Sequence, residues 1–311
     1  METTTKKQLF VQLQFGLLIL ACSALPEIGL ASMFSTMLGG GSSINFVLLA
    51  TKLIGVIAAG MALYKFYQEL GNDLPAPYLG ITGGGILIAL LTAIPGIPSW
   101  LTYVALVLLL ISFFQGKQTL DVNWTGLGTQ GAYVILMALL LRFFSNINDN
   151  WITGIVALIG LVLYYKGLNK MRAGFDEQGQ KGIGRIKIAI WLSIVGAAFG
   201  ILLGWIPLLG FVGSVIKGIL IIIALILEFM GYNNIRNSSS INEEGKQGAS
   251  LLRRSMIFML IAVILGIIPV VGIIGKIFTL CALWFVFSGW KKILFGMEAQ
   301  AEMTEAVTIN E

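Results

Sequence analysis

Histidine is absent from the 311 residues. Its absence removes the side chain most used for acid–base chemistry near neutral pH and for metal ligation. Ser–His and Cys–His pairs, an HExxH helix and a Cys/His zinc cluster are all excluded. Cysteine is nearly absent as well. Only Cys22 and Cys281 occur, and Cys281 falls inside an apolar run, so no disulfide framework is implied. Charge is the third shortage: 11% of the residues are charged, against about 25% in soluble globular proteins. A soluble domain of this length could not hide so much apolar surface, and a disordered chain would be far more polar. No acidic residue falls deep within an apolar run, which argues against a proton- or sodium-coupled carrier. No helical stretch has a strongly polar face, which argues against a wide aqueous pore. No connecting loop much exceeds about 25 residues, so there is no room for a soluble catalytic domain. These absences predict a protein that is not an enzyme and carries no cofactor or metal.

What is present is apolar. Hydrophobic residues make up 57% of the chain and the mean hydropathy is +0.90. Several stretches approach or reach the roughly 20 residues that a bilayer crossing needs, most clearly 186–204, 209–230, 255–268 and 271–289. The last four pair into two hairpins, each turning at a short proline motif, Ile206-Pro207-Leu208-Leu209-Gly210 and Ile268-Pro269-Val270-Val271-Gly272. Proline ends a helix because it lacks an N–H and restricts its predecessor, and glycine then lets the chain reverse. Similar turns occur around Pro26 and Pro95, and the polar cluster Asn146-Ile147-Asn148-Asp149-Asn150 serves in the middle of the chain. The second arm of each hairpin closes on an aromatic residue, usually a glycine two positions later, then polar residues and an aliphatic one. These endings start at Tyr64, Phe114, Tyr165, Phe229 and Phe287, spaced by 50, 51, 64 and 58 residues, the range in which tandem duplication shows itself. Asp176-Glu177-Gln178-Gly179 and Asn242-Glu243-Glu244-Gly245 match at the start of the last two copies.

The sequence thus predicts an all-α integral membrane protein of about ten transmembrane helices, arranged as five tandem parallel helical hairpins. The hairpins cover roughly 1–72, 73–121, 122–173, 174–238 and 239–297 in one transmembrane domain, and 298–311 form an acidic cytoplasmic tail that ends frayed and solvated. Parallel copies of this kind can close into a ring of inner and outer helices. Lys and Arg gather at the termini and in the loops between hairpins, while the hairpin turns hold almost none. The basic side faces the cytoplasm, so both termini are expected inside, in the plasma membrane. Trp100, Trp151 and Trp205 would lie in the outer interfacial belt, and Trp124 and Trp290 in the inner one. The net charge of +5 then marks topology and attraction to anionic lipid headgroups rather than nucleic-acid binding. Residues 1–21 admit two readings, the first arm of the first hairpin or a cleaved signal ending before Cys22. Gln12, Gln14 and the Pro26 turn favour the arm.

Charges inside apolar runs are the most informative residues, because a lysine near the bilayer centre costs about 2.5–3.5 kcal/mol. Lys52 and Lys217 each lie 12 residues before their closing aromatic, and Lys276 lies 11 before Phe287; Thr102 and Thr153 occupy the matching places in the second and third hairpins. Twelve residues of helix place this layer roughly 18 Å from the inner boundary. Two readings compete. Either long lysine stems lift their ammonium groups to the outer headgroups, or equivalent helices turn Lys52, Thr102, Thr153, Lys217 and Lys276 toward one path. Glycine is plentiful, 38 residues. Gly196, Gly200 and Gly204 form a GxxxGxxxG ridge that suits close helix packing, within the chain or against a second copy. Lys181-Gly182-Ile183-Gly184 is read as glycine-rich linker, since no strand precedes it. Two functional readings follow: a channel or carrier for a small or anionic solute, or a non-catalytic structural, lipid-binding or partner-binding membrane protein.

Overall fold

The computed structural model describes residues 3–24, 42–92, 98, 100–145, 151–204, 207–266 and 272–309. Among them the chain forms ten α-helices: α1 (Thr3–Ala24), α2 (Ser42–Leu70), α3 (Ala76–Leu91), α4 (Trp100–Thr119), α5 (Gly126–Ser145), α6 (Trp151–Arg172), α7 (Glu177–Gly204), α8 (Pro207–Arg236), α9 (Glu243–Gly266) and α10 (Gly272–Ile309). Four of them are long and apolar enough to cross a bilayer: α4, α7 over Glu177–Leu203, α8 over Leu209–Arg236 and α9 over Glu243–Leu265. The described part of α3 is 16 residues, shorter than the roughly 20 that a crossing requires. Local chemistry sets the helix starts. Prolines occupy the first turn of α3 and open α8, where a missing N–H costs no hydrogen bond. Gly71, just after α2, and Gly126, the first residue of α5, stand at positive φ, 51° and 78°, a conformation that favours glycine. The turns expected at Pro26, Pro95 and Pro269 lie outside the described residues.

The chain divides into two units. Unit 1 holds residues 1–123 and 140–160; unit 2 holds 124–139 and 161–311, so α5 and α6 give a part to each. In unit 1, α1 packs into the core. Phe10, Leu13, Leu17 and Leu20 are fully buried, with Ala59, Ala62 and Phe66 of α2 and Ala105 and Leu109 of α4 also in the core. The polar residues that interrupt its apolar run donate to neighbouring backbone: Gln12 Nε2 to Ala58 O (3.3 Å) and Gln14 Nε2 to Phe113 O (3.0 Å).

In unit 2 consecutive helices run antiparallel and touch through glycine. Gly182 of α7 faces Gly231 of α8, Gly248 of α9 faces Gly289 of α10, and Gly131 of α5 faces Gly167 of α6. A Cβ built on Gly231 would stand 2.8 Å from Gly182 O, and one on Gly289 2.8 Å from Gly248 O. Only glycine permits that approach. Gly182 is therefore a helix-crossing residue, which accounts for the glycine-rich stretch read as linker. Further along the same hairpin Gly196 lies against Leu220 and Gly200 against Lys217 of α8, so these two ridge positions serve packing within the chain; the surroundings of Gly204 lie outside the described side chains.

Two tryptophans differ from expectation. Trp290 is fully buried, edge-on to Tyr164 (6.3 Å) and Tyr232 (6.1 Å), and Trp124 is 4% exposed, stacked on Tyr133. They build the core of unit 2, enclosed by neighbouring rings rather than facing outward as belt residues do. Trp100 is exposed, as a belt residue would be. The acidic tail differs too. α10 continues to Ile309, and Glu298 is 2% exposed, accepting hydrogen bonds from Thr125 N (3.0 Å) and Thr125 Oγ1 (2.8 Å). A carboxylate at the start of α5 also meets the positive end of that helix.

The outer faces of α7 and α8 are apolar. Ile188, Trp191, Phe199, Ile201, Leu202, Phe211, Ile219 and Ile226 are all at least two-fifths exposed. A water-facing protein does not present so continuous an apolar surface; a membrane protein does.

Candidate functional site

Lys52 is buried by the fold, as are Lys7 and Glu298 among the described residues. Lys52 lies on α2, 8% exposed, and its Nζ donates to Thr92 Oγ1 at 3.0 Å. Thr92 ends α3, and its own hydroxyl donates to Ala89 O at 2.7 Å, so its oxygen is left to accept from the lysine. An ammonium carries three donors, and among the described residues Thr92 is the acceptor it meets. No described carboxylate lies within ion-pair distance of it. The arrangement leaves the charge able to take an anion or a neutral acceptor as a further partner.

The other four positions of the expected polar layer fare differently. Thr102 is half-buried on α4, in the same unit as Lys52, with no hydrogen bond between them. Lys217 is exposed, and its stem lies over Gly200: a Cβ there would stand 3.0 Å from the lysine Cδ. That is the posture of a lysine reaching outward along an apolar helix. Around it Ser214 is exposed, donating to Gly210 O at 2.9 Å, and Gly218 faces open space. Thr153 and Lys276 lie on α6 and α10, their side chains outside the described set. Lys52, Thr102 and Thr153 belong to unit 1, Lys217 and Lys276 to unit 2.

The structure adds polar groups that spacing alone did not single out. In unit 1, Thr82 of α3 and Ser112 of α4 are both fully buried and share a 2.6 Å hydrogen bond. One turn away sit Tyr78, 3% exposed, and Gln14, fully buried, whose Oε1 has no described partner. The one-turn spacing of Tyr78 and Thr82 on α3 was a visible signal, but threonine and serine are common in apolar helices. In unit 2 an open cavity of about 450 Å³ is lined by Thr125, Thr129, Ser239, Ser240 and Thr304 among others. Its lining is neutral, hydroxyl-rich and free of lysine and arginine.

Asp176, just before α7, organises the loop near that cavity. Its carboxylate accepts from Gly179 N (2.8 Å), Ser238 Oγ (2.8 Å), Ser239 N (2.7 Å) and Ser239 Oγ (2.8 Å). Burial pushes its pKa up, but the backbone N–H groups of Gly179 and Ser239 and the two serine hydroxyls outweigh it, holding the carboxyl at about 2. Asn242 caps α9 in the same way, accepting from Gly245 N at 3.0 Å. Among the described residues, no three acidic or cysteine side chains come together in a metal-ligating group.

Neither a protein-family model, a curated protein nor a solved structure matches this chain. The site must be interpreted from its own chemistry.

Proposed function

We propose that the chain is a multi-pass integral membrane protein that passes a small or anionic solute across the bilayer as a channel or carrier. The observation that carries this reading is Lys52: a buried lysine on an apolar helix, held by a threonine hydroxyl and, among the described residues, without a carboxylate to neutralise it. A charge kept inside a membrane domain at a cost of about 2.5–3.5 kcal/mol is a functional position by default. The solute's negative or acceptor group supplies the missing counter-charge. In this reading all ten helices cross, as five tandem parallel hairpins that arose by duplication. The glycine crossings at Gly131/Gly167, Gly182/Gly231 and Gly248/Gly289 support it, as do the equivalent caps at Asp176 and Asn242. The basic loops place both termini in the cytoplasm, with anionic headgroups of the plasma membrane as the constant partner. The chain works without catalysis, cofactor or nucleic acid.

The test is flux of anions and small neutral solutes in proteoliposomes. Lys52→Leu is expected to lower flux at least about tenfold, a loss of about 1.4 kcal/mol in barrier terms, with thermal stability unchanged or raised because a buried charge is relieved. Flux in wild type that Lys52→Leu leaves intact, or no flux in either, sinks the transport reading. A second reading is favoured by Lys217, whose exposed, outward posture fits a structural or lipid-binding membrane protein, alone or as a homo-oligomer. Lys217→Leu is expected to leave flux unchanged.

A further inference from the structure

Near the basic end of the last hairpin, α9 and α10 enclose a small open hollow of about 190 Å³. It is lined by Gln247, Ser250, Leu251 and Arg254 of α9 and Lys292 of α10. Gln247, Ser250 or Leu251, and Arg254 recur on one face of α9, one turn apart, so they form a single wall. Lys292 faces them, with its Nζ held by Gln247 Oε1 at 2.9 Å. That bond uses the amide oxygen and turns the other end of Gln247, an NH2 donor, to its surroundings. The hollow therefore offers a guanidinium, an ammonium, a hydroxyl and an amide donor, and no carboxylate lines it. The neighbouring Arg253 is occupied elsewhere, its guanidinium 4.8 Å from the Phe229 ring centre.

The hollow also sits where the apolar part of the hairpin begins. Arg254 lies inside the stretch Glu243–Leu265 that qualifies as a bilayer crossing. Beyond it, exposed Ile257 and Ile264 lie toward the same side of α9. On α10 the apolar run ends two residues before Lys292, and exposed Trp284 precedes it by about two turns. A water-soluble anion would meet the cations alone. A lipid would also lay its acyl chains on the isoleucines.

We propose that the hollow between α9 and α10 is a binding site for the phosphate of an anionic membrane lipid, held by Arg254 and Lys292 with Ser250 and Gln247 as additional donors. The guanidinium grips two phosphate oxygens in a planar fork, and the ammonium acts as a mobile point charge beside it. The site rests on the membrane embedding proposed above but not on transport. It lies at the interfacial level where basic pockets between helices take lipid headgroups.

The experiment uses the full chain purified in a neutral detergent and titrated separately with short-chain phosphatidic acid, phosphatidylcholine of equal chain length and inorganic phosphate, reading the thermal midpoint. Phosphatidic acid is expected to raise the midpoint of wild type. The pair Arg254→Gln/Lys292→Gln is expected to need roughly 25-fold more of it, about fivefold for each cation removed. The control pair Arg172→Gln/Arg236→Gln removes the same charge from exposed positions at the same end of unit 2 and is expected to respond as wild type does. Should the first pair fold poorly, Arg254→Lys/Lys292→Arg keeps both charges and is expected to retain most of the response. A groove variant that responds like wild type overturns the site, as does an equal response to phosphatidylcholine. A response to inorganic phosphate as strong as that to phosphatidic acid overturns the lipid as the source and leaves a free-anion site. Release of the native protein from membranes by alkaline washing without detergent refutes the membrane embedding itself, separately from the lipid titration.

Discussion

Asp176 shows how much one polar side chain holds at the loop end of unit 2. Four donors, one from the first turn of α7 and three from the loop before α9, converge on its carboxylate and keep it ionised to about pH 2. A carboxyl whose pKa is lowered by folding stabilises the native state above its ordinary value of 3.8, and that contribution disappears as pH falls from about 4 toward 2. Asp176→Ala is expected to cost about 1–2 kcal/mol at neutral pH, the usual range for a lost helix cap. It should also flatten the stability profile of the detergent-solubilised protein between pH 4 and pH 2. A variant that keeps the wild-type acid slope would show that the cap carries none of it. The matching of this residue to Asn242 was legible in the sequence, because a capping side chain three residues before its glycine is a local pattern. Its serine partners were not, since Ser238 and Ser239 are more than 60 residues away. Lys52 was legible as a costly charge by its position alone, and Thr92 as its partner was not, because the contact joins two helices 40 residues apart.

Among the elements, the antiparallel pairs of unit 2 depend on glycine at the crossings. At Gly231 an added methyl group would meet the carbonyl oxygen of Gly182 at 2.8 Å, and backbone cannot yield as a flexible side chain does. Gly231→Ala should therefore destabilise by about 1–3 kcal/mol through overpacking. Gly218→Ala, one helix face away and in open space, should stabilise by up to about 1 kcal/mol through helix propensity. Thermal midpoints of the two variants in one detergent decide the matter; equal shifts would mean that the crossing is loose. Gly167, Gly231 and Gly289 stood out in the sequence as part of the aromatic-then-glycine endings. Their partners Gly131, Gly182 and Gly248 did not, because a glycine inside a helix gives no sign of which neighbour it faces. Trp124 and Trp290 illustrate the reverse. A tryptophan next to polar residues at a helix end reads as interfacial, and tertiary packing of rings from α6 and α8 made Trp290 a core residue instead.

For the molecule as a whole, the proposed topology predicts a labelling pattern. With Cys22 and Cys281 replaced by serine, a cysteine at Ser239, in the loop between α8 and α9, should react with a membrane-impermeant maleimide in inside-out vesicles and not in intact cells. A cysteine at Asn148, in the polar stretch of sequence between α5 and α6, should react in intact cells. The opposite pattern would invert the protein, and the same pattern at both sites would remove the five-hairpin topology.

The sequence by itself determined the solvent and the helices. Scarce charge, absent histidine and long apolar runs are properties of composition, and they dictate a helical membrane chain because lipid satisfies no backbone hydrogen bonds. Proline and capping residues fixed where helices begin, since those effects act within a few residues. Only the tertiary structure decided that Lys52 is buried while Lys217 lies exposed, and that Glu298 is held in the fold by Thr125. It also paired Arg254 with Lys292 around one hollow. Burial and pairing arise between helices distant in the chain, and the periodicity of a single helix carries no information about the face its neighbours will cover.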